Sequence, residues 1–180
     1  MDRITEYCTG CRACEQLCAH HAIEMKPNKE GFLSAYIDRE KCVDCGLCQN
    51  RCPQNNLMQK FEPLMSLAVR DRDDKELLAS ASGGAFAAAA RVVLSRGGIV
   101  VGAAYNYDLS VSHIIVDSLK DLSKIQSSKY VQSNTEKTYL KIRELLKQGR
   151  VVLYSGTPCQ IGGLRAYLRK EYDNLYTMDL

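Results

Sequence analysis

Eight of the nine cysteines in this 180-residue chain lie within its first 52 residues, in two copies of one spacing. Cys8, Cys11, Cys14 and Cys18 read C-x2-C-x2-C-x3-C, and Cys42, Cys45, Cys48 and Cys52, closed by Pro53, repeat it with every cysteine 34 residues after its counterpart. A constant offset marks an internal repeat rather than an accident of composition. Thiolates at this spacing suit two four-iron, four-sulfur clusters, which take all eight ligands. Tetrahedral zinc is the alternative, since C-x2-C pairs serve it too, but each motif supplies more thiolates in series than one zinc site needs. His20 and His21 follow Cys18 directly; a solvated turn is a plainer reading of them than metal ligation.

The spacing is that of bacterial two-cluster ferredoxins, in which the fourth cysteine of each motif ligates the other cluster. The assignment that follows is Cys8, Cys11, Cys14 and Cys52 on one cluster, with Cys42, Cys45, Cys48 and Cys18 on the second. Ala19 stands where the pattern more often has proline, which removes a rigid turn but no ligand. Gly10 and the short gaps let the backbone wrap a cluster, and amide N–H groups along such a turn can donate to sulfur and tune its potential. Between the motifs, residues 22–25 and 32–37 read as two short strands joined across Pro27 to Gly31, a hairpin that would cover the clusters.

The bulk composition narrows the rest. The 24 basic and 21 acidic residues leave a net charge of +3 and form no basic run, so nucleic-acid binding has little support. No stretch of 18 apolar residues occurs and the first residues lack a signal-like apolar segment, so the expectation is a soluble, cytoplasmic protein without a membrane span. A reducing compartment also favours metal over disulfides. The expected fold class is an α+β ferredoxin-like two-cluster module (residues 1–60) followed by an incomplete α/β domain (residues 61–180).

The elements of the second part follow from pattern. Residues 54–63 read as a polar linker, Leu64 to Val69 as a short strand, and Glu76 to Ala79 as helical. Ser82-Gly83-Gly84 then runs into an alanine-rich helix stopped by Gly97-Gly98, a place where backbone N–H groups can hold a phosphate or where a helix merely needs small residues for close packing. Residues 99–105 and 111–117 form an expected hairpin, and 119–125 a short helix. Gln126 to Ser133 is a polar segment that either faces an anionic ligand through Lys129 or lies on the surface. Ser133 and Glu136 have capping-box spacing before a helix carrying Tyr139, Ile142 and Leu146. A buried strand, Val151 to Tyr154, leads through Gly156-Thr157-Pro158-Cys159-Gln160 into a helix reaching Arg169, and residues 174–180 begin another strand. The ninth cysteine thus sits at a strand's carboxyl end and a helix's amino end, where a thiolate is favoured; an inert packed thiol is the alternative.

With its Ser82-Gly83-Gly84, Ser128-Lys129-Tyr130-Val131-Gln132-Ser133 and Gly156-Thr157-Pro158-Cys159-Gln160 elements, the chain resembles the beta-subunit family of coenzyme F-420 hydrogenases and dehydrogenases, in the version with an amino-terminal two-cluster module. The resemblance implies an iron-sulfur flavoprotein oxidoreductase that passes electrons between 4Fe-4S clusters, FAD and a deazaflavin or similar hydride carrier. It places Ser82, Gly83, Gly84, Lys129, Thr157 and Pro158 at the cofactor, with Cys159 beside the flavin or in a further redox site as the candidate catalytic residue. Similar proteins continue past the strand at residues 174–180, so the implied partners are a redox protein or the rest of the flavin domain, together with the hydride carrier. The alternative is a non-enzymatic electron carrier or interaction module whose second domain docks a partner.

Overall fold

The computed structural model describes residues 2–56 and 62–180. Part of the expected linker therefore lies outside the described residues. The amino-terminal module holds a small antiparallel sheet in which β1 (Asp2–Arg3) and β2 (Ile23–Pro27) flank β3 (Leu33–Ile37), and it carries two one-turn helices, α1 (Ala13–Leu17) and α2 (Leu47–Asn50). The expected hairpin is present: Ile23 pairs with Ile37 and Pro27 with Leu33. Its turn is closed by Asn28, whose side-chain oxygen accepts from the N–H groups of Glu30 and Phe32 at 2.9 and 3.0 Å, the local bonding for which asparagine favours turns.

The rest of the chain is a mixed sheet between two helical layers. Strands β4 (Ile99–Tyr105) and β5 (Val111–Val116) form an antiparallel hairpin, while β6 (Val152–Gly156) and β7 (Leu175–Asp179) add to it in parallel, in the order β5-β4-β6-β7. The period-2 alternation of strand side chains decides what each face buries. Val100, Ala104 and Leu153 point to one side, where α4 (Ala85–Ser95) and a 3-10 turn (Leu119–Lys124) cover them with Ala90, Leu94 and Leu122. Ile99, Val101, Val152 and Tyr154 point to the other, against α5 (Thr138–Lys147) and α6 (Pro158–Leu168). Cys11 and Ala13 of the amino-terminal module belong to that same core, so the two parts share packed interior.

Three expectations need correction. Residues 64–69 form no strand: Leu64, Met65, Leu67 and Val69 remain exposed, because among the described residues no neighbouring strand gives the segment a ladder. The helical stretch expected at residues 76–79 starts earlier, at α3 (Asp74–Leu78), where Asp73 caps it by accepting from the Lys75 N–H. The Ser133/Glu136 capping box is not made: α5 begins after Lys137, which adopts a left-handed conformation, and the Glu136 N–H is taken by the Asn134 side chain at 2.9 Å.

Candidate metal centre

The two cysteine motifs repeat in backbone as well as in spacing. Gly10 and Arg12 flank Cys11 with φ of 69° and 60°, and their counterparts 34 residues on, Asp44 and Gly46, flank Cys45 with 51° and 69°. Left-handed residues on both sides of the middle cysteine reverse the chain so that successive thiols turn toward one centre. Each motif uses one glycine, at no steric cost, and one residue that carries strain of order 1–3 kcal/mol when it is neither Gly nor Asn. Helices α1 and α2 then start at equivalent positions, Ala13 and Leu47, from those left-handed caps. The signal for this was in the sequence: a glycine adjoins the middle cysteine in each motif, but on opposite sides.

Thiols of both motifs gather around Ile4, Ile23, Ala35 and Ile37, so the hairpin does cover them. A small cavity is lined by Cys8, Cys11, Cys14 and Cys52, with Ile4, Met25, Ala35 and Arg12 completing its wall. Cys52 thus faces the first motif's thiols across the repeat. Backbone donors already point at sulfur: the N–H of Ala35 to Cys8 at 3.4 Å, of Ala22 to Cys18 at 3.3 Å and of Asp44 to Cys42 at 3.4 Å. Burial pushes the Cys11 thiol up to about 12 and the Cys14 thiol well above its usual range, and it raises Cys48 as well. A thiolate at such a place needs a cation to replace the proton, which is what bound iron supplies. All nine cysteines are free thiols. Among the described residues, no three metal-binding side chains close on one point as a single bound ion requires. His20 and His21 are exposed.

The first motif is joined to the second domain by hydrogen bonds that the sequence did not announce. The Cys11 carbonyl accepts from the Thr135 and Tyr139 hydroxyls at 3.1 and 2.8 Å. Gln16 donates to the Thr135 carbonyl at 3.2 Å and accepts from the Tyr139 N–H at 3.1 Å. Gln132 reaches back to accept from the Leu33 N–H at 2.8 Å and to donate to the Thr9 carbonyl at 3.2 Å. At Gly163 a methyl group would lie 3.0 Å from both the Cys11 sulfur and the Tyr139 hydroxyl; the helix can approach the cysteine because no side chain intervenes.

The remaining candidates are less concentrated. Thr157, Pro158 and Cys159 open α6, where Gln160 accepts from the Thr157 N–H at 3.0 Å and the Cys159 sulfur lies 3.0 Å from the Thr157 hydroxyl. Cys159 is half-buried, on the same helix as Gly163. Ser82, Gly83 and Gly84 open α4, but a side chain on Gly83 would run into the Val69 carbonyl, and the Gly83 carbonyl accepts from the Asp71 N–H at 2.7 Å. Gly83 is therefore packed closely against the segment around residues 69–71. Lys129 turns its ammonium onto the carbonyls of Gln126 and Ser127 within its own loop, and partial burial lowers its pKa. Among the described residues no hydrogen bond joins Ser82, Gly83 or Gly84 to Lys129 or Cys159; the Ser127 hydroxyl, bonded to the Ala79 carbonyl at 3.2 Å, is the link between those loops.

Comparison with known proteins bears on the amino-terminal part of the chain. Residues 7–56 match the 4Fe-4S dicluster domain family. Over 47 residues the chain is 47% identical to one component of an ion-translocating oxidoreductase complex of Methanosarcina acetivorans, covering 26% of this chain and 16% of that protein. Over 69 residues it is 32% identical to an uncharacterized polyferredoxin-like protein of Methanocaldococcus jannaschii, covering 34% of this chain and 41% of the relative. The chain thus spans less than half of either relative's length. Its amino-terminal module is a 4Fe-4S dicluster domain, an iron-sulfur unit whose chemistry is electron transfer. No helix among the described residues is long and apolar enough to cross a membrane.

Proposed function

We propose that the chain relays electrons between a partner protein and its own second domain, with Cys8, Cys11, Cys14 and Cys52 holding one four-iron cluster and Cys42, Cys45, Cys48 and Cys18 the other. Bound clusters supply one-electron chemistry; the chain's residues ligate, bury and hydrogen-bond them, which sets their potentials. The observation that carries the reading is the doubled motif itself, with matched left-handed turns and one cavity shared by Cys8, Cys11, Cys14 and Cys52. The second motif, with Val43, Asp44 and Cys45 at the surface, is the side a partner meets. The first motif, packed on α6, is the side that communicates inward.

The finer reading is an iron-sulfur flavoprotein oxidoreductase of the coenzyme F-420 hydrogenase and dehydrogenase beta-subunit kind, in which FAD links the clusters to a hydride carrier. Its support is the resemblance of the Ser82, Lys129 and Thr157 elements and the place of Cys159 on α6, the helix whose Gly163 abuts Cys11. The carrier reading, in which the second domain docks and insulates the clusters, draws its support from Gly83 packed against Val69, Lys129 bonded to its own loop and Gln132 bridging the two parts. Anaerobic reconstitution followed by metal and flavin analysis tests both. The expected result is about eight iron and eight sulfide per chain; a colourless protein with stoichiometric zinc overturns the cluster reading. Quenching of FAD fluorescence on titration supports the flavoprotein, and unchanged fluorescence, also for a chain extended at its carboxyl end, supports the carrier.

A further inference from the structure

One buried donor beside the first motif lacks a partner. The Arg12 Nε–H makes no hydrogen bond, although the same guanidinium is paired through Nη1 with Glu15 at 2.7 Å. Arg12 is buried and lines the cavity shared by Cys8, Cys11, Cys14 and Cys52. Leaving a buried donor unmade is costly. A donor kept so beside four thiols is explained if an acceptor is present when the protein is loaded. Sulfur carrying negative charge is that acceptor.

We propose that the Arg12 Nε–H donates a hydrogen bond to the sulfur of the first cluster and holds its potential above the value its burial would impose. The inference rests on the cluster assignment above. Burial in a low-dielectric interior disfavours the more negative, reduced state, and donors to sulfur favour it. The second motif has the opposite surroundings: the Asp44 carboxylate oxygen lies 3.7 Å from the Cys42 sulfur, and no unpartnered buried donor adjoins it among the described residues.

The test is an EPR-monitored redox titration of the clustered protein and of Arg12→Gln and Arg12→Met. The expected result is that each variant lowers the potential of one and the same cluster by a factor of about ten in its reduction equilibrium, about 59 mV for one electron, and leaves the other unmoved. Unchanged potentials in fully loaded variants, or equal shifts of both clusters, overturn the proposal alone. A wild-type chain with fewer than two clusters overturns the assignment and the proposal together, so iron and sulfide counts separate the two failures. Should either variant load poorly, Arg12→Lys keeps a cationic donor at the cavity wall; its potential must stay within about 30 mV of the wild type, about a threefold change in the equilibrium, and a larger fall contradicts the proposal.

Discussion

The two cysteine motifs share a spacing and a pair of left-handed turns, but the first is packed into protein and the second is turned to solvent. Cys11 is 9% exposed, and its neighbours Gly10, Arg12 and Ala13 are buried with it. At the corresponding positions Asp44 and Cys45 are exposed and Gly46 and Leu47 only half-buried. Identical ligand chemistry therefore sits in two dielectrics. The difference arises outside the repeat: Tyr139, Thr135 and Gly163 of the second domain meet Cys11, and Gln132 ties Thr9 of the first motif and Leu33 of the hairpin. A local repeat makes two motifs alike, and one asymmetric interface gives them different surroundings.

That contrast can be broken, most severely at its two middle cysteines. Both Cys11→Ala and Cys45→Ala should remove a cluster's worth of iron. Cys11→Ala should also lower thermal stability, by about 1–3 kcal/mol for emptying a packed site, whereas Cys45→Ala should leave the second domain's melting unchanged. Iron analysis and calorimetry read the two effects separately, and equal stability losses would contradict the asymmetry. Gly163→Ala presses a methyl group on the Cys11 sulfur and the Tyr139 hydroxyl, so overpacking of about 1–3 kcal/mol and loss of the first cluster only are expected.

Gln132→Ala unties the Leu33 N–H and the Thr9 carbonyl, with an expected cost of about 1–2 kcal/mol; hydrogen exchange at Leu33 should rise while exchange in β4 does not. The smallest effect is pH-dependent. His113 is held neutral between the Ser133 hydroxyl at 2.8 Å and the Ser155 carbonyl at 3.0 Å, and burial lowers its pKa from 6.5 to about 4. The unfolded chain therefore takes up a proton between those values that the folded chain refuses. Stability present above pH 6.5 should fall as pH drops through that window, by up to about 1.4 kcal/mol per unit. Denaturant midpoints at pH 7 and 5.5 should differ less in His113→Gln than in the wild type.

How far the residues announced this structure depends on the kind of signal. The cysteine repeat, the β2–β3 hairpin and the β4–β5 hairpin were legible because local spacing and β-branched runs carry them. So were α4, which Gly97 terminates, and α6, which Pro158 opens. Leu64 to Val69 has strand composition without a strand, because a strand needs a neighbour that composition cannot supply. The contact between the parts was illegible for a related reason. Gln16 and Gln132 carry no sequence signal of contact, and only tertiary packing shows that each bonds to backbone more than 90 residues away. Arg12, an unremarked residue between two cysteines, shows its left-handed φ and its orphan donor in three dimensions only.

Crossing of ligands between the motifs is the central claim, and the cluster lost from Cys52→Ala decides it. EPR spectra and midpoint potentials of the remaining cluster should match those of Cys11→Ala, because Cys52 lines the first motif's cavity. A remaining cluster that instead matches the one left in Cys45→Ala would contradict the crossing.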